Sequence, residues 1–325
     1  MPHTGTVIKA QSGFFTVKLD DRPEPVVCRL RGRLKKRRLD TDLIAVGDRV
    51  RVSLVPDGTG VVEEVLPRER ALSRLAPRPS GLRRWDRDGY LAEREQVIVA
   101  NPDLVVFVFA CAQPDPNLRM LDRLLVVAEV QEIPALIVAN KVDLTGPEQA
   151  REIFGLYEEI GYPVYYTCAL TGEGVDALRE AIRGQLSVFA GPSGAGKSSL
   201  LNAIQPGLGK EVGEVSRATG KGRHTTVVPE LVALEGGGWV ADTPGIRAFA
   251  LYEIDPEELD AYFVEIAPLV ADCEFSDCTH LHEPGCAVRQ AVAEGRIHPS
   301  RYESYARLRE EHQKLADMYW WGIEE

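Results

Sequence analysis

The chain has 325 residues, of which 44% are hydrophobic and 27% charged, so it is long enough for two or three domains with apolar cores. No apolar run approaches the roughly 18–20 residues that a membrane span needs, and the N-terminus lacks a secretory-signal pattern, so we expect a cytoplasmic protein with no membrane partner. The net charge of −11 divides into +7 for residues 1–90 and −18 for the rest, so only the N-terminal part favours contact with a phosphate backbone.

Residues 1–67 are predicted to form a five-stranded β-barrel of the OB type. Five short segments alternate apolar and polar residues and are separated by Gly, Pro and Asp. Between the third and fourth segments lies the basic stretch RGRLKKRRLD, residues 31–40. Because OB barrels bind nucleic acid through loops and the adjacent sheet face, this stretch indicates RNA contact, with a solvated loop as the alternative.

The next segment, residues 68–95, is rich in Arg and Pro and is predicted to be a linker. Residues 96–250 then alternate apolar runs with helical periodicity, which predicts a doubly wound α/β domain. The runs VIVAN, DLVVFVFAC and PALIVAN are nearly continuous in apolar residues, as buried parallel strands are. Residues 230–245, ELVALEGGGWVADTPG, indicate a hairpin-like pair of strands.

Residues 191–198, GPSGAGKS, match the phosphate-binding pattern G-x-x-x-x-G-K-[ST] between an apolar strand and a helix, which is the context that supports the motif. We call these residues the phosphate loop. Its amides would surround the β-phosphate, Lys197 would reach the β/γ oxygens, and the Ser198 hydroxyl would ligate Mg²⁺. The predicted nucleotide contacts here are Gly191, Pro192, Ser193, Gly194, Ala195, Gly196, Lys197, Ser198 and Ser199.

The tetrapeptide DTPG follows about 45 residues later at the end of the apolar run WVA. Asp242 is placed to hold Mg²⁺ through water, and the amide of Gly245 to sense the γ-phosphate. DTPG alone is a moderate signal because it has only four residues. Together with the phosphate loop upstream, it specifically indicates a nucleoside triphosphate site.

The tetrapeptide NKVD, residues 140–143, would select guanine, and we call it the base segment; its members are Asn140, Lys141, Val142 and Asp143. Asp143 would accept the N1–H and N2 amino protons of guanine, and adenine would leave that carboxylate unpaired. Asn140 would tie the base segment to the phosphate loop, and Lys141 would lie along the base plane. In the later loop TCAL, Cys168 and Ala169 are further nucleotide-binding candidates, the amide of Ala169 as a donor to the guanine O6. An ordinary strand-to-helix turn is the alternative for NKVD taken alone.

The base segment precedes the phosphate loop, the reverse of the order in most GTPases. Because strand pairing, not chain order, holds a doubly wound sheet together, joining the old termini and opening the chain elsewhere preserves the site. We therefore predict a circularly permuted GTPase domain with one nucleotide site. The segment after DTPG leads directly into the C-terminal domain, so the nucleotide state would be coupled to that domain.

The first switch is predicted between the two phosphate motifs, in RATGKGRHTTVV, residues 217–228. Thr225 or Thr226 would supply the hydroxyl that ligates Mg²⁺ with GTP bound. Ile246 stands where many GTPases use Gln to orient the attacking water, so His224 is the nearest polar candidate for that role, with an ordinary surface histidine as the alternative.

Residues 251–325 are predicted to form a mostly α-helical zinc-binding domain, with Asp255 as the N-cap of its first helix. Cys273, Cys278, His280 and Cys286 make a closed set of three thiolates and one imidazole, typical of one structural Zn²⁺. His282 competes for the fourth position, and free buried cysteines are the alternative.

The combination of a basic OB-like N-terminus, NKVD before GPSGAGKSS, GKGRHTT, DTPGI and CxxxxCTHLxEPGC resembles the RsgA family of small ribosomal subunit biogenesis GTPases over nearly the whole chain. The resemblance implies a cytoplasmic, monomeric bacterial enzyme that converts GTP to GDP and phosphate on the small subunit and its 16S rRNA, with Mg²⁺ and one Zn²⁺ on the four residues above. It also implicates His224 in hydrolysis. Two positions depart from the family pattern. Val227 stands where the first switch often has a third threonine, and Cys168 stands where the loop that contacts the guanine O6 often has serine.

Two other functions remain open at this point: an RNA-binding module with a slow nucleotide switch, and a signalling GTPase with a protein partner. The second leaves the basic stretch unexplained.

Overall fold

A computed structural model describes residues 2–11, 13–32, 43–75, 95–209, 230–242 and 254–321. The helices in these ranges include none that is both long and apolar enough to cross a bilayer.

The N-terminal strands close into the predicted five-stranded barrel, in the order β1-β2-β3-β5-β4. The strands are β1 (His3–Gln11), β2 (Phe14–Leu19), β3 (Val26–Leu30), β4 (Arg49–Leu54) and β5 (Gly60–Val65). Alternate apolar residues such as Val17, Cys28 and Val52 fill the interior, which is why these segments alternate in the sequence. Most of the basic stretch, residues 33–40, lies outside the described residues.

A two-stranded antiparallel sheet follows the barrel, formed by β6 (Ala71–Leu75) and β7 (Glu95–Ala100). The prediction that VIVAN is a parallel strand of the central sheet is therefore wrong, and the segment predicted as a linker contains β6. The run is buried because side chains such as Val99 pack into the core of the next domain. The Ala100 amide also donates to the Val46 carbonyl at 2.7 Å, which attaches the strand to the end of the barrel. An apolar run indicates burial but does not identify the strand's partner.

The central sheet has the predicted doubly wound form, with strand order β10-β9-β8-β11-β13-β12. All neighbours are parallel except β12 and β13, which form the expected antiparallel pair. The strands are β8 (Leu104–Ala110), β9 (Ala135–Asn140), β10 (Val164–Thr167), β11 (Leu186–Ala190), β12 (Val232–Ala233) and β13 (Trp239–Asp242). The connecting helices are α1 (Leu118–Val130), α2 (Pro147–Glu159), α3 (Val175–Ala181) and α4 (Lys197–Ile204).

Strand β8 shows how both faces of this sheet are covered. Phe107 and Phe109 pack with α1 and α2 on one face, while Val106 and Val108 pack with α3 and α4 on the other. Because β8 lies between β9 and β11, the carboxyl ends of β9 and β11 meet at one edge of the sheet, close to each other. The base segment and the phosphate loop both begin at this edge.

The C-terminal region contains two 3₁₀ turns (Leu259–Tyr262 and Ala267–Asp272) and two helices, α5 (Ala287–Ala293) and α6 (Pro299–Trp321). The α-helix predicted to begin after Asp255 does not form. Asp255 caps only a short turn, accepting from the Glu257 amide at 2.9 Å. Phe263 then adopts an extended backbone and packs edge-on against Tyr305, with ring centroids 5.4 Å apart, so tertiary packing overrides the local helical pattern.

Candidate nucleotide site and metal centre

Asn140 joins the base segment to the phosphate loop. Its side-chain amide donates to the backbone carbonyl of Ala195 at 2.9 Å, and its carbonyl accepts from the hydroxyl of Thr167 at 3.1 Å. The side chain is 1% exposed. A buried amide with both ends hydrogen-bonded fixes the relative position of the three segments that it touches.

Gly196 allows the two segments to approach this closely. A Cβ atom at this position would lie 2.4 Å from Asn140 Nδ2, and its φ of +90° is unfavourable for a residue with a side chain. Lys141, also in the left-handed region at φ 64°, lies beside it, with its Cε 3.7 Å from the same point.

The residues that follow β8 contact both halves of the site, which the sequence did not indicate. The Lys141 amino group donates to the carbonyl of Gln113. Pro114 Cδ lies 3.3 Å from the position that a Cβ on Gly194 would occupy. The position of this segment after the central strand, at the same edge of the sheet, is the signal that could have identified it.

Lys197 stands at the first position of α4 and points back along the phosphate loop. Its amino group donates to the carbonyls of Gly191 at 2.6 Å and Pro192 at 3.2 Å. Gly191 is itself pressed against β8, where a Cβ would lie 2.1 Å from the Val108 carbonyl oxygen. The loop therefore wraps around a lysine ammonium group, as a phosphate-binding loop does.

The thiol of Cys168 donates to the carboxylate of Asp143 at 3.0 Å. Cys168 is 1% exposed, and its amide donates to the Glu173 carbonyl at 3.0 Å, so the donor is fixed by its backbone. Asp143 itself is exposed. The structure therefore places the Cys168 side chain beside Asp143, the predicted guanine acceptor.

The other predicted nucleotide residues divide into two sets. The first set lies on the loops just described. Val142 is buried in the base segment, and Ala169, which follows Cys168, is half-buried. Exposed hydroxyls on the phosphate loop and the first turn of α4 belong to Ser193, Ser198 and Ser199. Asp242 ends β13, where its backbone lies opposite Phe189 of β11 and therefore beside the start of the phosphate loop. The second set, His224, Thr225, Thr226 and Gly245, lies outside the described residues.

The four predicted metal ligands form one cluster. Their ligand atoms, on Cys273, Cys278, His280 and Cys286, all lie within 4.8 Å of one another. The His280 Nδ1 atom is 3.5 Å from each of the Cys273 and Cys286 sulfurs. Burial, with a contribution from the neighbouring thiols, raises the pKa of the Cys278 thiol to about 12, so this residue needs a nearby cation to be held as a thiolate. The donor set is consistent with zinc.

Asp260 supports the cluster from outside. Its carboxylate lies 3.1 Å from His280 Nε2, the ring nitrogen that faces away from the sulfurs. This arrangement fixes the imidazole so that Nδ1 is free to bind a metal, and Tyr302 further holds the His280 carbonyl at 2.7 Å. No sequence pattern marks Asp260 because it lies 20 residues from the histidine.

A buried ion network connects this region to the α/β domain. Arg301 of α6 is 1% exposed and donates to Asp122 of α1 at 2.7 Å and to Glu265 at 2.6 and 3.1 Å. Asp122 also accepts from the hydroxyls of Tyr157, at 2.8 Å, and Ser304. Burial alone would lower the pKa of Arg301, but its hydrogen bonds to Glu265 and the two carboxylate charges raise it overall. The network was not predicted, since its members are up to 182 residues apart.

Comparisons with known proteins match most of the chain to one family. A family model described as RsgA GTPase matches residues 75–252, and one described as RsgA N-terminal domain matches residues 4–62. A small ribosomal subunit biogenesis GTPase RsgA from Gemmatimonas aurantiaca is 43% identical over 310 residues, covering 95% of this chain and 97% of the relative. The protein of that name from Moorella thermoacetica is 45% identical over 301 residues, covering 93% and 94%.

Solved structures agree over nearly the full length. The crystal structure of YjeQ from Thermotoga maritima superimposes with a TM-score of 0.78 at 35% identity, covering 96% of this chain and 99% of that one. YloQ, described as a circularly permuted GTPase, gives a TM-score of 0.74 at 28% identity and covers 97% and 96%. The permuted order predicted from the sequence is therefore confirmed.

Proposed function

Because this chain belongs to the RsgA GTPase family, we propose that it hydrolyses GTP between the base segment and the phosphate loop while bound to the small ribosomal subunit. It is a GTP-hydrolysing enzyme of small-subunit maturation, and the proposal concerns how its residues perform that activity. The observation that supports it most is the Asn140–Ala195 hydrogen bond, which joins the base segment to the phosphate loop.

Guanine is bound by Asp143, whose two oxygens accept the N1–H and the N2 amino protons, with the Cys168 thiol holding the carboxylate in position. The Ala169 amide donates to O6. Lys141 lies along the base, and Asn140 maintains the distance between base and phosphates. Adenine offers no pair of donors on that edge, so its binding would leave Asp143 unpaired.

The triphosphate is held by the phosphate-loop amides and by Lys197, whose ammonium group exchanges its carbonyl partners for β/γ oxygens. The Ser198 hydroxyl, Thr225 or Thr226, and Asp242 through water would hold Mg²⁺. The exposed Ser198 and the backbone of Asp242 beside β11 fit this role. When bound, Mg²⁺ neutralises charge that develops on the phosphate oxygens.

Hydrolysis transfers the γ-phosphoryl group to water and yields GDP and phosphate. His224 orients the attacking water, since Ile246 offers no polar group at the position that often does so. The amide of Gly245 senses whether the γ-phosphate is present. The chain after Gly245 continues into the zinc-binding region, so loss of the phosphate is transmitted there.

The small subunit is contacted through its 16S rRNA by the basic N-terminal part, in agreement with the charge of +7 in residues 1–90. One structural Zn²⁺ occupies the Cys273, Cys278, His280 and Cys286 cluster. The protein acts as a cytoplasmic monomer.

The decisive assay is GTP turnover with and without purified small subunits. Wild type should be slow alone and faster with subunits, and His224→Ala should bind a fluorescent GTP analogue with unchanged affinity but lose the stimulated turnover. Unchanged turnover in His224→Ala would show that the assignment of this residue is wrong. Subunit binding without stimulation would favour an RNA-binding module with a slow switch instead.

A further inference from the structure

The outer face of β2 and β3 combines an exposed aromatic ring with an exposed arginine. Phe14 opens β2 directly opposite Arg29 of β3, and the Arg29 guanidinium carbon lies 4.9 Å from the centre of the Phe14 ring. Phe14 is 44% exposed. Val27, 49% exposed, points to the same face two residues before Arg29. We call Phe14, Val27 and Arg29 the outer patch.

Packing of the barrel does not explain the outer patch. The interior is filled by the inward residues of the same strands, including Phe15 and Cys28, which immediately follow Phe14 and Val27. Phe14 and Val27 therefore leave apolar surface in water without contributing to the core. Single exposed apolar residues are ordinary on protein surfaces, but these two lie on adjacent strands, and the Arg29 guanidinium lies over the Phe14 ring.

The charges around the outer patch leave Arg29 available to an anion. Arg31 pairs with Glu63, and Lys18 donates to the carbonyls of Arg22 and Pro23, whereas no described carboxylate lies within ion-pair distance of Arg29. The exposed Asp57 is held by its hydrogen bonds to Thr59, which lower its pKa with a smaller contribution from the Arg29 charge, so it interacts with Arg29 without forming an ion pair. The chain that leads out of β3 reads RLKKRR in residues 33–38, so the local charge in the sequence is strongly positive. A nucleic acid backbone matches this positive charge. An acidic face of a folded protein would also match the charge, but it would not account for the exposed Phe14 ring.

We propose that Phe14 and Arg29 form a stacking platform for an unpaired RNA base, an inference that rests on the proposed action on the small subunit. Every base presents a π-face that can stack on a phenylalanine ring or on a guanidinium plane, while the arginine charge stays near the phosphate. The bases of double-stranded RNA are stacked on each other and cannot reach the ring, so the platform selects single-stranded segments. The face formed by β2 and β3 is also the one through which OB barrels bind oligonucleotides.

The test measures the binding of a fluorescein-labelled, mixed-sequence, single-stranded 12-nucleotide RNA by anisotropy at several salt concentrations. Phe14→Ala should weaken binding about 5- to 100-fold without changing the slope of log affinity against log salt, because stacking releases no counterion. Arg29→Gln should weaken binding and reduce that slope by about 0.7. Phe14→Trp should retain wild-type affinity or exceed it. All variants of residue 14 should bind the double-stranded RNA of the same sequence with equal affinity.

The matched control is Phe275→Ala, which removes a phenylalanine of similar exposure, 42%, far from the barrel in the sequence and outside the metal ligands. It should leave RNA affinity unchanged. Equal affinity of wild type and Phe14→Ala for the single strand would overturn the proposal, as would an equal loss in Phe275→Ala. Because Phe14 is exposed, thermal unfolding of its variants should match wild type, which separates a lost contact from a lost fold.

Parallel binding of the same variants to purified small subunits separates this inference from the proposed function. If wild type neither binds subunits nor responds to them, the proposed function fails. If wild type responds but Phe14→Ala binds RNA normally, only the platform fails. If Phe14→Ala loses subunit binding and keeps RNA binding, the outer patch contacts a ribosomal protein and the proposal is overturned.

Discussion

The side-chain amide of Asn140 donates to the backbone carbonyl of Ala195 at 2.9 Å, although 55 residues separate them in the chain. This bond joins two motifs whose order is reversed relative to most GTPases. It forms because β9 and β11 flank β8 in one parallel sheet, so the loops after them meet whatever their order in the sequence. The permutation therefore changes which segments are covalently connected but still brings the two motifs together.

Gly196→Ala should separate the two motifs. The new methyl group would lie 2.4 Å from Asn140 Nδ2, so the hydrogen bond to Ala195 must break or the loop must move. We expect GDP affinity to fall at least tenfold, as measured by isothermal titration. The matched control is Gly207→Ala, which has a similar φ of +93° but no atom within 4 Å, so it adds backbone strain of about 1–2 kcal/mol without the clash. Equal GDP affinity in the two variants would contradict the proposed role of the close contact.

Cys168→Ala should reduce the preference for guanine. The substitution removes the donor 3.0 Å from Asp143, so the carboxylate is less well positioned for the N1–H and N2 amino groups. Since one such hydrogen bond contributes about 0.5–1.5 kcal/mol, the ratio of GDP to IDP affinity should fall about 2- to 10-fold. Cys168→Ser keeps a donor and should retain the ratio. A ratio that is unchanged in Cys168→Ala would show that the thiol does not position Asp143.

Asp260→Asn should weaken metal binding without touching a ligand. The carboxylate lies 3.1 Å from His280 Nε2 and orients the ring, and loss of such a partner costs about 10- to 100-fold in metal affinity. Competition with a chromogenic chelator measures this change, with the exposed Asp272→Asn as the control. Full removal of the metal should increase hydrogen exchange in residues 254–321 and spare the central strands β8, β9 and β11, which do not pack on that region. Equal zinc release from both variants would argue against the supporting role.

Arg301→Met should strongly destabilise the protein. It leaves Asp122 and Glu265 buried without their cation, which costs about 3–5 kcal/mol in the free energy of unfolding. Arg307→Met alters an exposed arginine on the same helix and should change stability by less than about 0.5 kcal/mol. Urea unfolding of both variants makes the comparison. A second expectation is that replacing Asp122 and Glu265 with Leu in the Arg301→Met background recovers part of the loss.

The sequence predicted those features that depend on residues close together in the chain, and it missed contacts between residues far apart in the chain. Barrel strands, the phosphate loop, NKVD and the cysteine cluster are short patterns with their own chemistry, and each was identified as a segment. The permuted site followed from pairing rules for parallel strands. Contacts between distant residues had no such pattern: Asp122 and Arg301 are 179 residues apart, and Asp260 resembles any acidic surface residue until the fold brings it to His280.

The two errors have a common cause. The apolar run in β7 indicated burial, but its partner turned out to be β6 and not the central sheet. The predicted helix after Asp255 had a good cap and a helical pattern, but burial of Phe263 against Tyr305 favoured a different backbone. In both cases tertiary packing determined a conformation that local sequence had left ambiguous.

The most direct test measures nucleotide turnover by Asp143→Asn on small ribosomal subunits, with GTP and with the xanthine nucleotide XTP. Asparagine keeps one acceptor oxygen for N1–H and replaces the other with an amide donor, which fits the O2 carbonyl of xanthine but not the N2 amino group of guanine. Turnover of GTP should therefore fall, and turnover of XTP should rise above that of wild type. Adding Lys197→Ala should abolish both, because one triphosphate spans the two residues. If XTP is not turned over by Asp143→Asn, or if its turnover survives Lys197→Ala, the base segment and the phosphate loop do not share a nucleotide.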